Sequence, residues 1–399
     1  MKIPATVFET LPLVLLEIIK SKKPPDKVLD FYFKQNRKWG SRDRRFFAEI
    51  TYENVRYFRK YWALSKVQNK FEQKTLNDEQ AKRVLKKYFQ VHYPEIVTPY
   101  DVELNSPSGE LSPIDEASYS NWFYELGQQE LGEQWSMVAK SLNQTPSVFL
   151  RTNTLKIERS ELQSLLASEG HETEAVQGSS VALKLKIRKS LASTKAFQSG
   201  LFEIQDLSSQ KVAELLQPKP NEKIVDACAG GGGKTLHIAS LAKNKASVLA
   251  MDIYQPKLLR LAVRAERAGA TQIKTQVIDS KNVINKLENY ADALLLDVPC
   301  SGSGVIRRHP ETKWQFQQSD WFHVQKTQDQ ILQEYCKIVK PGGRMVFSTC
   351  SIFPTENEKK LHQFLSTHSD WSLETKQTFL PEENLGDGFF IATLNKAVR

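Results

Sequence analysis

Apolar runs alternate with helical periods from residue 222 to the end of the chain. Four of the runs end at an aspartate, and a fifth run lies further on. Strands that alternate with helices predict an α/β fold with a doubly wound, mostly parallel sheet, whose ligands bind at the carboxyl ends of the strands. The runs lie at 224–225, 248–251, 273–278, 293–296 and 344–348, and the helices at 234–243, 256–268 and 320–339.

The chain before residue 206 shows two other patterns. Apolar residues recur at intervals of three and four over 5–92, which predicts helices, one of them starting at Asn77. Short helices and two strand-like runs, at 148–151 and 181–187, follow. We therefore predict a helical domain (1–95), a linker (96–118), a small α+β subdomain (119–205) and an α/β domain (206–399).

Positive charge is concentrated at the front of the chain. Residues 1–95 hold 21 Lys and Arg against 11 Asp and Glu, whereas the whole chain has a net charge of +9, so the remainder is almost neutral. A basic front end favours a polyanionic partner, of which nucleic acid is the commonest. A lysine-rich helical surface without a partner would give the same count, and charge alone does not choose between the two.

Cysteine usage and the amino-terminal residues indicate a protein of the cell interior. The four cysteines are too few and too far apart for a disulfide scaffold, and no CxxC spacing predicts a zinc site, so we expect no metal. The apolar run 11–16 is short and is flanked by Glu9 and Glu17, which argues against a signal peptide or a membrane span. We expect a cytoplasmic protein without membrane association or an obligate protein partner.

A glycine-rich turn joins the first strand of the α/β domain to its helix. A phosphate-binding loop would need glycine at position 228, where the chain has cysteine. S-adenosylmethionine in a Rossmann-like fold fits better, because it also explains Asp252, which would accept the ribose hydroxyls, and Asp279, which would lie near the adenine. The turn consists of Cys228, Ala229, Gly230, Gly231, Gly232, Gly233 and Lys234.

Two cysteines follow predicted neighbouring strands. Cys300 lies just after the strand that ends at Asp297, and Cys350 follows the fifth strand. A buried cysteine is ordinarily a small apolar residue, which is our interpretation of Cys336 and, provisionally, of Cys228. Two cysteines at one ligand-binding crevice predict covalent chemistry instead. A thiolate that adds to C6 of cytosine makes C5 nucleophilic enough to take a methyl group, and a second group then assists release.

The thiolate and the cytosine ring both need neighbours of suitable charge. An ordinary cysteine has a pKa of about 8.5, so we expect helix dipoles or a nearby cation, such as Lys234, Arg307 or Lys313, to stabilise the thiolate. Asp297 is the candidate acid for cytosine N3, where negative charge develops. To donate a proton there, Asp297 must have a pKa that burial has raised.

These stretches resemble the NOL/NOP/Sun family of RNA 5-methylcytosine methyltransferases, in particular its bacterial members that act on 16S ribosomal RNA. The resemblance implies a Rossmann-like class I methyltransferase sheet, preceded by a small RNA-contacting α+β module and an all-helical RNA-binding domain. It covers about residues 145–395 and rests on residues 150–153, 205–210, 226–235, 297–304, 307–310, 313–314, 348–351 and 356–358.

The resemblance also implies a role for each residue of the site. Cys350 becomes the nucleophile and Cys300 the group that assists product release. S-adenosylmethionine, the methyl donor, would be held by residues 228–234, Asp252, Asp279 and Asp297. One position departs from the family's pattern, because Gly231 stands where the family has proline. Gly231 removes no contacting side chain, so we expect activity to survive.

Three other functions remain compatible with these residues. The same chemistry could act on transfer RNA instead of ribosomal RNA. A catalytically silent RNA-binding assembly factor could retain the same scaffold, although both cysteines and the strand-end aspartates argue against it. An ATPase would bind ATP tightly and S-adenosylmethionine not at all.

Overall fold

The structure, a computed structural model, describes residues 3–65, 71–104, 110–381 and 386–398. The chain forms two compact units. The first consists of Met1–Thr145 together with Ile306–Trp321, and the second of Pro146–Val305 together with Phe322–Arg399. The chain therefore leaves the second unit after Val305 and returns to it at Phe322.

The first unit is helical, as the three- and four-residue spacing predicts. Asn77 begins α4 by accepting a hydrogen bond from the Gln80 amide, a capping box that satisfies an otherwise free donor. The predicted linker contains a helix, α5, and its residues 105–109 lie outside the described part of the chain. The helices are α1 (Ala5–Lys20), α2 (Pro25–Gln35), α3 (Ser41–Leu64), α4 (Asp78–His92), α5 (Pro113–Ala117), α6 (Asn121–Leu131) and α7 (Trp135–Ser141).

Aromatic side chains fill the core of this first unit. Phe47, Phe58 and Phe89 are fully buried, and so is Trp314, which the chain contributes from the distant segment Ile306–Trp321. The Trp314 indole nitrogen donates to the Val55 carbonyl oxygen at 2.8 Å. Helices α6 and α7, which the sequence predicts as part of the α+β subdomain, lie in the first compact unit.

The second unit begins with a small antiparallel sheet of order β2-β3-β1-β4. Buried leucines such as Leu150, Leu162 and Leu183 pack its helices against it. Its elements are β1 (Phe149–Thr152), α8 (Arg159–Ser168), β2 (Thr173–Ala175), β3 (Ala182–Leu185), α9 (Lys195–Gln198) and β4 (Phe202–Ile204).

A seven-stranded sheet of order β10-β11-β9-β8-β5-β6-β7 forms the rest of the second unit. The neighbours from β7 to β9 are parallel, whereas β11 runs antiparallel to β9 and β10. The strands are β5 (Lys223–Asp226), β6 (Ser247–Asp252), β7 (Ile273–Val277), β8 (Ala291–Asp297), β9 (Val339–Thr349), β10 (Trp371–Phe379) and β11 (Phe389–Lys396).

Helices accompany this sheet, and the predicted doubly wound, Rossmann-like α/β fold is confirmed. The strand order reverses between β5 and β8, which is the position where ligands bind in such sheets. The helices are α10 (Leu207–Leu216), α11 (Gly233–Leu241), α12 (Gln255–Ala268), α13 (Lys281–Asn285), α15 (Gln318–Tyr335) and α16 (Glu358–Thr367), while the short α14 (Thr312–Gln315) lies in the first unit.

Candidate active site

The glycine-rich turn connects β5 to α11 and opens onto the carboxyl edge of the sheet. Gly230 and Gly232 have φ angles of 54° and 86°, in the left-handed region that favours glycine. A Cβ at Gly232 would lie 2.5 Å from Leu261 Cγ, so the turn packs on α12 too closely for any side chain. A Cβ at Gly230 would meet no atom within 4 Å, because this part of the turn faces open space.

Two arginines fix the backbone carbonyls of the turn. Arg151, which is buried in β1, donates to the Gly233 carbonyl oxygen at 2.6 Å and to Gln205. Arg264 of α12 donates to the Gly231 carbonyl oxygen and pairs with Glu203 at 2.8 Å. From the sequence, Arg151 was recognised only as a member of a stretch that resembles the family. Glu203 and Arg264 were not predicted at all, because nothing in their spacing relates them to the turn.

A cavity of about 280 Å³ lies beside the turn. The Asp226 Oδ1 atom is buried there without a hydrogen-bond partner among the described residues, while Oδ2 accepts from Thr235 at 2.7 Å. Burial raises the pKa of Asp226 to about 7. The cavity is lined by Ile204, Gln205, Ser209, Asp226, Cys228, Ala229, Gly230, Gly231, Gly233, Lys234, Arg264 and Asp297.

These residues fit S-adenosylmethionine. The unpartnered acceptor on Asp226 suits the cationic amino group of such a ligand, and the close backbone of the turn suits a ligand that packs against a helix amino terminus. Burial raises the pKa of the Cys228 thiol well above its usual value, so Cys228 lines the cavity as a neutral group.

The other two predicted contacts lie at the ends of β6 and β7. Asp252 is buried, and its two oxygens accept from the backbone amides of Gly230 at 2.9 Å and Tyr254 at 2.8 Å, so it fixes the turn to β6. Asp279 is exposed and accepts from Ser280. Neither carboxylate lines the 280 Å³ cavity.

The two predicted cysteines lie together. Asp297 of β8 pairs in register with Ser348 of β9, so the loops that follow these two residues leave the sheet side by side. The Cys300 and Cys350 sulfur atoms are 3.2 Å apart, within hydrogen-bonding distance. The contact with Cys350, assisted by burial, raises the pKa of the Cys300 thiol well above its usual value. Cys300 therefore keeps its proton at neutral pH and can donate it to the Cys350 sulfur.

Lys234 connects the cysteine pair to the cavity. Its ammonium group lies 2.6 Å from Asp297 Oδ2, and the other oxygen of Asp297 accepts from Ser348 at 2.9 Å. Although burial opposes the charged form, the Asp297 carboxylate raises the pKa of Lys234, and the nearby Cys350 sulfur adds to this effect. Lys234, one of the three predicted cations, is therefore positively charged and interacts electrostatically with Cys350.

The prediction that Lys313 serves the thiolate is wrong. Lys313 is fully buried in the first unit, where its ammonium group donates to the Arg56 carbonyl oxygen and, at 2.8 Å, to Asn143. Burial and the neighbouring Arg56 lower the pKa of Lys313 well below its usual value. Arg307 also belongs to the first unit.

Several residues that the sequence analysis did not single out hold the cysteine loops. The Asn357 side chain accepts from the Thr349 hydroxyl at 2.6 Å and donates to the Ser351 carbonyl oxygen at 3.0 Å. The Gly304 amide donates to the Cys350 carbonyl oxygen at 2.9 Å, which joins the two loops directly. Asn357 lies in a stretch that matches the family, but its partners become visible only in the fold.

The described residues contain no cluster of three or more His, Cys, Asp or Glu that could hold a metal ion. Over the same part of the chain, no helix is both long enough and apolar enough to cross a membrane. A larger cavity, of about 840 Å³, lies within the first unit beside α1 and α14. It contains no cysteine and none of the strand ends, so we do not assign the chemistry to it.

Comparison with known proteins matches two stretches of this chain to family models. A family model described as 16S rRNA methyltransferase RsmB/F matches residues 213–395. A second, described as the ferredoxin-like domain of RsmF/B-like methyltransferases, matches residues 119–191.

Two curated proteins, both named as probable ribosomal RNA small subunit methyltransferase B, are similar to this chain in sequence. The probable ribosomal RNA small subunit methyltransferase B of Bacillus subtilis is 38% identical over 63% of this chain and 60% of its own length. The protein of the same name from Synechocystis is 35% identical over 71% of this chain and 68% of its own length. The chain thus matches between three fifths and about two thirds of the length of these relatives.

Two crystal structures resemble the fold. The structure of PH0851 has a TM-score of 0.81 and 25% identity and covers 99% of this chain and 100% of its own. A methyltransferase homolog protein from Pyrococcus horikoshii has a TM-score of 0.63 and 29% identity over 71% of this chain and 97% of its own. Similarity in sequence and in fold together show that this chain belongs to the RsmB/F family of 16S rRNA methyltransferases, whose methyl donor is S-adenosylmethionine.

Proposed function

We propose that this chain methylates C5 of a cytosine in ribosomal RNA and that Cys350 is its covalent nucleophile. The observation that carries the proposal is the 3.2 Å contact between Cys300 and Cys350, next to the Lys234–Asp297 ion pair on the edge of the cavity. A nucleophile, a second thiol, a cation and a carboxyl group are the parts that this reaction requires.

The first step is addition of the Cys350 thiolate to C6 of the cytosine. The Cys300 thiol stabilises this thiolate by donating its proton in a hydrogen bond, and Lys234 stabilises it by charge. The new S–C6 bond moves the electrons of the C5–C6 double bond toward C5 and N3. S-adenosylmethionine, when bound, would supply the electrophilic methyl group that C5 takes, and S-adenosylhomocysteine would be the leaving group.

Release reverses the addition. The proton on C5 leaves to solvent water, the C5–C6 double bond forms again, and the S–C6 bond breaks to return the Cys350 thiolate. Cys300 assists this step because its retained proton can again hydrogen-bond the departing thiolate. No residual charge remains on the base.

Asp297 is assigned to cytosine N3. A proton from its carboxyl group would neutralise the charge that develops there, and N3 would return this proton to Asp297 once C5 has taken the methyl group. Asp297 is paired with Lys234, so this assignment requires Lys234 to release Asp297 when the RNA base enters. Asp252 and the 228–234 turn would hold the methyl donor, while the exposed Asp279 would have to contact the adenine from outside the cavity.

Ribosomal RNA is the favoured substrate for two reasons. The relatives carry the name ribosomal RNA small subunit methyltransferase, and residues 1–95 hold 21 basic against 11 acidic residues. We assign RNA contact to this basic helical part and to the α+β region, which matches the ferredoxin-like family domain. A ribosomal substrate in turn points to the cytoplasm as the place of action.

The test is methyl transfer from labelled S-adenosylmethionine to purified 16S ribosomal RNA and, separately, to transfer RNA. We expect label in 5-methylcytidine from the ribosomal RNA alone. The Cys336→Ala variant is the matched control, because Cys336 is buried beside the Gln333 carbonyl oxygen and takes no part in the site. Label in transfer RNA alone would show that transfer RNA is the substrate. No label in any RNA would indicate that the protein is an assembly factor that binds RNA without methylating it.

A further inference from the structure

A fully buried carboxylate, Glu356, lies between the two cysteine loops without being one of the reacting groups. Its Oε1 atom accepts from the Ser301 amide at 2.8 Å, and its Oε2 atom accepts from the Ser301 hydroxyl at 2.5 Å. Oε2 also accepts from the Ser351 hydroxyl at 2.5 Å. Ser301 directly follows Cys300 and Ser351 directly follows Cys350, so one side chain binds the residue next to each thiol.

The surrounding contacts extend this cluster. Gln328 of α15 donates to Glu356 at 3.3 Å and to the Pro299 carbonyl oxygen at 2.9 Å, which fixes the start of the Cys300 loop. Ser303 and Ser351 share a hydrogen bond of 2.9 Å, and Ser303 also accepts from the Ile352 amide at 3.0 Å. The two loops are therefore joined through Glu356 as well as through their backbones.

A carboxylate in this position is costly unless its oxygens are satisfied, because burial removes its hydration. Burial raises the pKa of Glu356, whereas the hydrogen bonds from Ser301 and Ser351 oppose that rise. An apolar side chain of similar size would avoid the cost of burial but could not accept from both serines. We infer that the buried carboxylate fixes the relative position of the two loops, at some cost in the stability of the site.

We propose that Glu356 is a positioning residue that holds Cys300 and Cys350 at reacting distance by accepting hydrogen bonds from the residue after each of them. Its effect on catalysis rests on the proposed function, whereas its effect on the distance between the sulfur atoms does not. A loss of about 1 Å in alignment can cost up to ~10²-fold in rate.

The thiol pair supplies a readout that needs neither RNA nor methyl donor. Diamide removes two electrons and two protons from two adjacent thiols and is itself reduced to the hydrazine, leaving a Cys300–Cys350 disulfide. The rate of this reaction depends on how often the two sulfur atoms meet. Peptide mass spectrometry after limited diamide treatment measures that rate directly.

The variants are Glu356→Gln, Ser301→Ala and Ser351→Ala in the full chain. Glu356→Gln keeps the shape but replaces one accepting oxygen by an amide donor, and each serine variant removes a hydroxyl bond while Glu356 remains. Glu358→Gln is the matched control, since Glu358 is only half-buried and accepts from Thr378 at 2.8 Å. Melting curves restrict the comparison to folded protein.

We expect Glu356→Gln to slow disulfide formation and kcat together by ~10- to 10²-fold with KM for RNA unchanged. The serine variants should show smaller effects in the same direction, and Glu358→Gln none. Unchanged rates in folded Glu356→Gln, or a lower Tm with unchanged rates, would overturn the proposal. If wild-type protein forms the disulfide readily but transfers no methyl group, the proposed function fails while the positioning role is still decided by the disulfide rates.

Discussion

The carboxyl group of Asp226, which lines the 280 Å³ cavity, has a strongly raised pKa. Asp226 ends β5 below the glycine-rich turn, and burial raises its pKa to about 7. In the unfolded chain an aspartate titrates at about 3.9. A folded-state pKa above the unfolded one means that the acid is most compatible with the fold when protonated. Stability is therefore lost as the pH rises from about 4 through 7 and is constant above that range.

The Asp226→Asn variant should remove this loss. Without cofactor, we expect its Tm to exceed that of the wild type by an amount that grows between pH 5 and 7 and then levels off. Each kcal/mol corresponds to roughly 2–4 °C. Differential scanning calorimetry at several pH values measures the difference.

Asp292 supplies a control of opposite sign. Its ion pair with Lys340 and a hydrogen bond from the Lys223 amide outweigh burial and lower its pKa, so it stays charged above pH 5 in both states. Asp292→Asn should therefore lower Tm by the same amount throughout pH 5–8. A Tm difference for Asp226→Asn that does not change with pH would contradict the account of Asp226.

The site residues that the sequence predicted are those that strand alternation brings to one edge. Cys300 and Cys350 each follow an apolar run, so their proximity could be expected from a parallel sheet. Glu356 and Glu203 could not be found in this way. The serines that bind Glu356 lie on two loops and the arginines that bind Glu203 lie on α12, and their approach depends on tertiary packing. Lys313 was wrongly predicted to stabilise the thiolate because it lies close to Cys300 in sequence. The chain leaves the second unit after Val305, so closeness in sequence does not place Lys313 at the cysteines.

At the scale of elements, the turn between β5 and α11 contains Gly231, the residue at which the sequence departs from the family's usual pattern. Gly231 does not have a positive φ angle, unlike Gly230 and Gly232 on either side of it. Its carbonyl oxygen accepts from Arg264, and a Cβ would lie 3.3 Å from that flexible side chain. Arg264 thus fixes the turn at the position where the family resemblance leads us to expect a proline.

Gly231→Pro should therefore be tolerated. We expect a gain in stability of about 0.4–1 kcal/mol, because proline restricts the unfolded chain. Isothermal titration calorimetry should show that S-adenosylmethionine binds at least as tightly as to the wild type. Gly232→Ala is the contrasting control, since its Cβ would collide with Leu261. Weaker cofactor binding by Gly231→Pro would show that the turn needs glycine at 231 as well.

The predicted elements of the α/β domain agree with the observed ones to within a few residues. Predicted helices at 234–243 and 256–268 correspond to Gly233–Leu241 and Gln255–Ala268. The alternation of runs and helices is strong there because the central strands β5, β6 and β8 are largely buried. Prediction was weaker over 96–145, where short helices capped by serines carry no long apolar period.

At the scale of the whole molecule, the helical unit is not a continuous stretch of the chain. Segment Ile306–Trp321 enters its core, and Trp314 is fully buried against residues of α3. No local pattern predicts this, since the segment follows the Cys300 loop in sequence. The helical unit therefore consists of two stretches of the chain that are far apart in sequence.

Trp314→Ala should destabilise the first unit by about 3–5 kcal/mol, the usual cost of a large cavity in a core. We expect the first-unit transition to move to lower temperature in calorimetry. Phe31→Ala is the control, because Phe31 is 53% exposed and should change the transition little. Equal effects of the two substitutions would mean that Trp314 does not hold the helical core together.

We propose that Cys350 forms the covalent bond with the cytosine and that Cys300 assists its release. The most direct measurement incubates Cys300→Ala, Cys350→Ala and Cys336→Ala with S-adenosylmethionine and 16S ribosomal RNA and then resolves protein–RNA adducts by denaturing electrophoresis and mass spectrometry. We predict a stable adduct at Cys350 in Cys300→Ala, none in Cys350→Ala, and normal turnover without accumulation in Cys336→Ala. An adduct that accumulates in Cys350→Ala and is attached to Cys300 would contradict the account and exchange the two roles.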